Sequence, residues 1–194
     1  MMYVVEHAKL KYACKKCEGQ IVQDQAPAQA IPKSKAGPGL LAHILVSKFC
    51  GSLPFYRQEN ILKRSGVDLG RASFCQWAMR CGDLMIPLIN LMREEIVSYN
   101  IAYADETTVQ VLKEPGRRAE QKSYIWLFGG GMPKKFAWVY QYHPGRHGRY
   151  AKEFFEEYQG YVHVDGYAGY HEMASGGHII LSGCMAHALS LIHI

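Results

Sequence analysis

Two aspartates draw attention because each lies in or directly after an apolar, β-branched stretch. Asp105 lies within IAYADETTVQVL, and Asp165 ends the valine-rich part of YVHVDGY. Neither has a lysine or arginine close in sequence, and burial of an unpaired carboxylate costs several kcal/mol or a large pKa shift. A divalent cation between the two would remove their repulsion. The alternative is an aspartate that caps a turn or pairs with an arginine distant in sequence.

The chemistry expected of such a pair is phosphoryl transfer. Mg²⁺ is typically held by one or two carboxylates and keeps water molecules for a phosphate group. Two Mg²⁺ or Mn²⁺ ions about 4 Å apart would activate a water or a 3′-hydroxyl and stabilise the leaving oxygen. We therefore predict Asp105 and Asp165 as catalytic, metal-binding residues. Glu106 faces the other side of its strand, which predicts a surface or supporting residue, and His163 is expected to be a packed core histidine.

Two cysteine-containing motifs could bind metal. Cys14-Lys-Lys-Cys17 has the spacing of a zinc knuckle, but a structural zinc site needs four ligands, which predicts half of a zinc ribbon. A redox role is disfavoured because no thioredoxin-like strand and helix surround the motif. Cys184-Met-Ala-His187 is either a second metal-binding pair or the structural end of the last strand.

Residues 58–77, QENILKRSGVDLGRASFCQW, are typical of a helix-turn-helix in which Gly66 provides the turn. Its small core is predicted to contain Ile61, Leu62, Val67, Leu69 and Cys75. The exposed side of the second helix would contact DNA phosphates and bases. The predicted DNA-binding residues are Lys63, Arg64, Arg71, Ser73 and Gln76. Ordinary packing of two helices is the alternative.

Composition and charge set the broader limits. The chain has 194 residues, 48% hydrophobic and 20% charged, as expected for a globular protein. The whole formal charge of +5 falls in residues 1–100, which favours an anionic partner, most simply DNA, for that half. There is no apolar run of about 18 residues for a membrane span and no secretory signal. The scattered cysteines indicate a reducing cytosol.

The apolar periodicity divides the chain into four segments. We predict a ribbon piece at 1–22, a linker at 23–39, a helical DNA-binding region at 40–98 and a strand-rich core at 99–194. Within the helical region, separate helices are expected near 69–81 and 84–97, with Pro87 early in the second. The core should contain three strands, a helix near 149–158, and then a fourth and a fifth strand. This order predicts a mixed sheet of the α/β class.

With these residues in place, the chain resembles the insertion sequence 66 family of bacterial transposases. The similarity is carried, in family order, by KYACKKCEG, IPKSKAGPGLLAHILVSKF, LPFYRQENILKRSGVDLGRASFCQW, YADETTVQVL, YVHVDGYAGY and SGCMAH. The resemblance implies a DNA transposase with a partial ribonuclease-H-like sheet and an Asp-Asp-Glu triad that binds Mg²⁺ or Mn²⁺. The first two acids of that triad fall on Asp105 and Asp165. The CxxC pair corresponds to part of a zinc-binding segment.

The resemblance also implies strand cleavage and strand transfer of an insertion sequence in the bacterial cytoplasm at the nucleoid, with possible self-association. No residue can be assigned as the third acid, and the family's first cysteine pair precedes Met1. We therefore expect a copy truncated at both ends, with weak or no activity and one apolar sheet face left uncovered. The alternative function is a DNA-binding module without catalysis.

Overall fold

The computed structural model describes residues 3–16, 19, 21–25 and 27–192. By Cα packing the chain divides into two units, Met1–Leu84 and Met85–Ile194. The division falls inside a helix, whereas the predicted boundary between the helical region and the core lies near residue 99. The four predicted segments therefore remain predictions, and each compact unit is described by itself.

The first unit contains a small antiparallel ribbon and helical segments. Strands β1 (Lys11–Ala13) and β2 (Ile21–Gln23) pair with Lys11 opposite Gln23. Helix α1 (Pro38–Phe49) begins with a proline, whose fixed φ suits the first helical turn. Helix α2 (Phe55–Arg64) follows Pro54.

Gly66 ends α2 as predicted, and its backbone conformation explains why glycine is suited to this position. Its φ is +79°, in the left-handed region that side chains with a Cβ rarely adopt. The N–H of Gly66 bonds the carbonyl of Lys63, and the N–H of Val67 bonds the carbonyl of Leu62 at 2.9 Å. These two bonds form a Schellman motif, which satisfies the last carbonyls of the helix.

The core of the first unit lies between α1, α2 and the start of the next helix, α3 (Arg71–Val97). Phe74, Trp77 and Cys81 are buried and recur at the spacing of one helix face. Cys75 and Ile61 were expected in this core, but both are exposed. The expectation was wrong because each immediately neighbours a buried residue, and adjacent helical positions point about 100° apart.

Helix α3 is a single helix of 27 residues, so the prediction of two separate helices was wrong. Pro87 lies inside it and cannot donate the hydrogen bond to the carbonyl four residues earlier, but the helix continues through this position. Residues 82–91 are all exposed, including Leu88 at 56% and Leu91 at 60%. No helix of the described residues is both long and apolar enough to cross a membrane.

The second unit is built on a five-stranded mixed sheet in the order β5-β4-β3-β6-β7. Its strands are β3 (Ile101–Gln110), β4 (Lys122–Gly130), β5 (Ala137–His143), β6 (Gly160–Val164) and β7 (Ile179–Gly183). The first three are joined as antiparallel neighbours, whereas β6 pairs parallel with both β3 and β7. This mixed α/β arrangement is compatible with a ribonuclease-H-like fold.

Short helical segments cover one face of this sheet. They are α4 (Arg149–Phe154), a 3-10 turn at Ala168–Tyr170 and α5 (His171–Ala174), and helix α6 (Met185–Ile192) follows β7. Beneath them the core is aromatic, and the rings of Phe128 and Phe154 stack with their centroids 4.0 Å apart. Strand β3 contributes the small buried residues Ala102 and Ala104, which leave room for these rings.

On the opposite face of the sheet, large apolar side chains of the described residues are exposed. Trp138 is 44% exposed, Tyr140 66%, Tyr161 49% and Ile180 53%. Contiguous exposed apolar surface is typical of interaction sites and favours association.

We predict that the exposed apolar stretch of α3, residues 84–91, drives self-association of the chain. Leu88→Glu should lower the fraction of higher-mass species in light scattering coupled to size exclusion, because it places a charge within that stretch. Val46→Glu is the matched control, since Val46 on α1 is 58% exposed but outside the stretch. Equal effects of the two substitutions would contradict the prediction.

Candidate active site

The parallel pairing of β3 with β6 brings the two predicted acids to neighbouring strands. Ile101 lies opposite Tyr161, and Tyr103 lies opposite His163. The paired register ends there, and Asp105 and Asp165 each follow it by two residues, at equivalent positions along the chain. Because neighbouring strands lie about 4.8 Å apart, this placement puts the two acids at the same end of the strand pair.

Both carboxylates are oriented by local backbone hydrogen bonds. Asp105 Oδ1 accepts the N–H of Glu106 at 2.9 Å, and Asp165 Oδ1 accepts the N–H of Tyr167 at 2.9 Å. The second bond forms an Asx-turn directly after β6. The side-chain hydrogen bond with Cys184 raises the pKa of His187, and the charges of Asp105 and Asp165 both act in the same direction to a smaller extent.

The turn-capping alternative also describes Asp165. Besides the bond to Tyr167, its Oδ2 lies 3.7 Å from Nη2 of Arg146, an arginine distant in sequence. Capping and pairing do not displace the carboxylate from the strand end. Asp165 remains 21% exposed, so solvent or a cation can reach it.

Glu106 is not a surface residue, so of the two roles expected from the sequence the surface role was wrong and the supporting role stays a prediction. Its side chain is 0% exposed and lies on the covered face of the sheet with Ala102 and Ala104. The apolar residues that share a face with Asp105 instead border the open side, where Ile101 is 41% exposed. Burial raises the pKa of Glu106, although hydrogen bonds from Tyr170 and Arg146 act in the opposite direction.

Sequence reasoning missed Arg146 and Tyr170, which contact this glutamate. Arg146 Nε donates to Glu106 Oε1 at 2.6 Å, and the Tyr170 hydroxyl donates to Oε2. Burial, followed by the bond to Glu106, raises the pKa of Tyr170, so the phenol stays protonated as a donor. The sequence offered one signal for Arg146, since it lies between Gly145 and Gly148 in the loop directly after β5. Strand β5 runs in the same direction as β3, so this loop lies at the same end of the sheet as the acids.

The donor set at Asp105 and Asp165 suits Mg²⁺ or Mn²⁺. Both ligands are carboxylates, and each keeps an oxygen that does not accept the backbone hydrogen bond described above. Hard divalent cations are commonly held by one or two carboxylates, with water and substrate phosphate completing the coordination. Within the described residues, no group of three or more His, Cys, Asp or Glu side chains is placed to hold a metal.

Cys184 and His187 lie beside this site at the start of α6. The backbone N–H of His187, together with the side chains of His163 and His187, lowers the pKa of Cys184 to about 7. His163 is half-buried rather than fully packed, and its ring lies against Tyr103 with centroids 5.6 Å apart. Cys184 therefore lies between the end of β7 and the start of α6, and both interpretations of the pair stay predictions.

The other predicted site residues lie in the first unit. Cys14 follows β1 and is exposed, whereas Cys17 lies outside the described residues, so the zinc prediction is not tested. Among the predicted DNA contacts, Ser73 is half-buried, contrary to the expected exposure, because it lies one helical turn before the buried Trp77. Lys63 forms ion pairs with Glu59 at 3.3 Å and Asp68 at 3.8 Å. The exposed members of the set are Lys63, Arg64, Arg71 and Gln76.

Comparison with known proteins identifies relatives over most of the chain. The family model described as "Transposase IS66 family" matches residues 33–190. The uncharacterized protein y4qI of Sinorhizobium fredii (strain NBRC 101917 / NGR234) is 33% identical over 198 residues, covering 95% of this chain and 36% of the relative. The uncharacterized protein y4jD of the same strain is 30% identical over 191 residues, covering 92% and 37%. The chain therefore spans about a third of the length of these relatives.

We predict that the thiol of Cys184 titrates near pH 7. Its depressed pKa means that the thiolate contributes to stability at alkaline pH, and this contribution is lost as the pH falls through 7. Alkylation by iodoacetamide in the presence of a chelator, followed by peptide mass spectrometry, should show half-maximal reactivity near pH 7. His163→Ala removes the larger of the two side-chain contributions and should move this midpoint upward, whereas a midpoint in the unmodified chain near 9, the ordinary thiol value, would contradict the assignment.

Proposed function

Because the chain belongs to the IS66 family of transposases, we propose that Asp105 and Asp165 are the first two acids of a metal-dependent centre for DNA strand cleavage and strand transfer. The observation that carries this proposal is the parallel pairing of β3 with β6, because its register ends two residues before each of the two acids. Transposon ends and target DNA would be the substrates, in the bacterial cytoplasm at the nucleoid.

Bound Mg²⁺ or Mn²⁺ would activate a water or 3′-hydroxyl and stabilise the leaving oxygen. The residues of this chain would bind the cation and fix its position relative to the scissile phosphate. The backbone bonds to Asp105 Oδ1 and Asp165 Oδ1 limit the rotation of both carboxylates. Preorganised ligands of this kind avoid reorganisation at the moment of reaction.

The proposed centre lacks a third acid among the described residues. Glu106 is engaged on the covered side of the sheet, and Glu172 follows Asp165 too closely in sequence to be the family's third acid. A site with two carboxylate ligands is expected to bind a divalent cation more weakly than a site with three. We therefore propose that this chain by itself binds Mn²⁺ weakly and reacts slowly or not at all with a transposon-end duplex.

A second candidate function is DNA binding without catalysis. It is favoured by the distribution of charge, since the formal excess of +5 falls entirely in residues 1–100. Arg71 at the start of α3 and Arg64 at the end of α2 are both exposed on either side of the Gly66 turn. These residues would position the helical region on the phosphate backbone.

The metal-site proposal predicts that Asp105→Asn and Asp165→Asn each weaken Mn²⁺ binding by at least about tenfold, because each removes a charged oxygen ligand. Free Mn²⁺ can be measured by electron paramagnetic resonance during titration of the chain. Asp83→Asn is the control, since Asp83 is exposed on α3. Unchanged Mn²⁺ affinity in both active-site variants would rule out the proposed centre.

The DNA-binding proposal predicts that Arg71→Ala weakens binding to a transposon-end duplex and reduces the salt slope by about 1. Lys152→Ala on α4 is the charge-matched control and should leave both quantities unchanged. The double variant Asp105→Asn/Asp165→Asn separates the two functions, because a DNA-binding role keeps its affinity when metal binding is lost. Equal loss in the Arg71 and Lys152 variants would contradict the assignment to the helical region.

A further inference from the structure

Glu106 is a fully buried carboxylate that the proposed metal site does not use. Both of its oxygens have partners, since Oε1 accepts Arg146 Nε at 2.6 Å and Oε2 accepts the Tyr170 hydroxyl. A buried carboxylate is tolerated where it is paired and hydrogen-bonded in this way. Glu106 therefore holds the Arg146 guanidinium from the covered face of the sheet.

Arg146 is also held from the side by Tyr167. Its guanidinium carbon lies 3.8 Å from the centroid of the Tyr167 ring, and the Tyr167 hydroxyl donates to the Arg146 carbonyl. From this position Arg146 Nη2 reaches to 3.7 Å from Asp165 Oδ2. The N–H of the same tyrosine donates to Asp165 Oδ1, so both oxygens of Asp165 face groups that are themselves anchored.

The loop that contains Arg146 and the loop that contains Tyr167 approach each other closely at two glycines. Arg146 lies in the loop between β5 and α4, and Tyr167 lies in the loop after β6. Gly148 at the end of the first loop lies so near Gly169 that a Cβ at Gly148 would be 2.0 Å from the Gly169 carbonyl oxygen. The absence of a side chain therefore allows the two loops to approach.

From these contacts we infer that Arg146 is a positioning residue for Asp165, and that Glu106 is the anchor that holds the Arg146 guanidinium in place. An arginine at the surface loses side-chain entropy when it orients a carboxylate. Anchoring by a buried carboxylate and stacking on Tyr167 restrict that freedom in advance. The guanidinium charge also offsets the repulsion between Asp165 and its acidic neighbours. This inference rests on the proposed function of Asp165 as a metal ligand.

Arg146→Lys is the most direct test because it keeps the positive charge and removes the planar fork. A lysine cannot donate to Glu106, stack on Tyr167 and face Asp165 in the same geometry. We expect Mn²⁺ affinity of the whole chain, measured by electron paramagnetic resonance, to fall by about tenfold, as for other partners that orient metal ligands. Arg149→Lys, a few residues away on α4, should leave the affinity unchanged.

The thermal unfolding midpoint of each variant separates positioning from a purely structural role. If Arg146→Lys lowers the midpoint but leaves the Mn²⁺ affinity of the folded chain within twofold of wild type, the inference is wrong. If that variant does not fold, Glu106→Gln poses the same question, with weakened Mn²⁺ binding expected and unchanged binding contradicting the inference. Failure of the proposed function itself has a different signature, because Asp165→Asn would then leave the Mn²⁺ affinity unchanged.

Discussion

The parallel hydrogen-bonded pairing of β3 with β6 is the interaction on which the site depends. These strands are distant in sequence, and their paired register ends two residues before each of the two acids. Strands β4 and β5 extend the sheet and α4 packs on one face of it. Because β5 and β6 both run in the direction of β3, the loops that follow them lie at the same end of the sheet. Arg146 comes from the first of these loops and Tyr167 from the second. The site is thus assembled from several segments that no local pattern joins.

The covered face of the sheet shows how packing and chemistry are connected. Strand β3 presents Ala102, Ala104 and then Glu106 to this face. The small alanines make room for the aromatic rings of α4 and its neighbours, and the glutamate follows where the apolar core ends. Its bonds to Arg146 and Tyr170 satisfy the buried charge and link the core to the acids above it. The hydrophobic packing of the unit thus places Glu106, which we infer to be the anchor of Arg146 beside Asp165.

Local sequence patterns predicted the strands, their order and the Gly66 turn, because each depends on residues a few positions apart. They did not predict which face of β3 would be covered. Ile101, Tyr103 and Val109 made one face more apolar, yet the core took the face of the two alanines, because bulky side chains from α4 fill the space. The continuous helix through Pro87 was also missed, since a proline usually ends or kinks a helix. Arg146 was not found because its partners lie in other loops.

Family membership agrees with the choice of Asp105 and Asp165 as candidate site residues. The IS66 match covers residues 33–190, which include both acids and the helical region. The net charge of +5 lies entirely in residues 1–100, which are expected to contact DNA, whereas residues 101–194, which contain the two acids, have no net charge. The zinc ribbon remains a prediction, as do the metal ions and the contacts to DNA.

We propose that β3 and β6 bring Asp105 and Asp165 together as ligands of one metal centre. A crystal structure of the chain grown with Mn²⁺ tests this proposal through its anomalous difference map. We expect an anomalous peak within coordination distance of carboxylate oxygens from both aspartates. Full-occupancy Mn²⁺ elsewhere on the chain, with no peak between these two carboxylates, would contradict it.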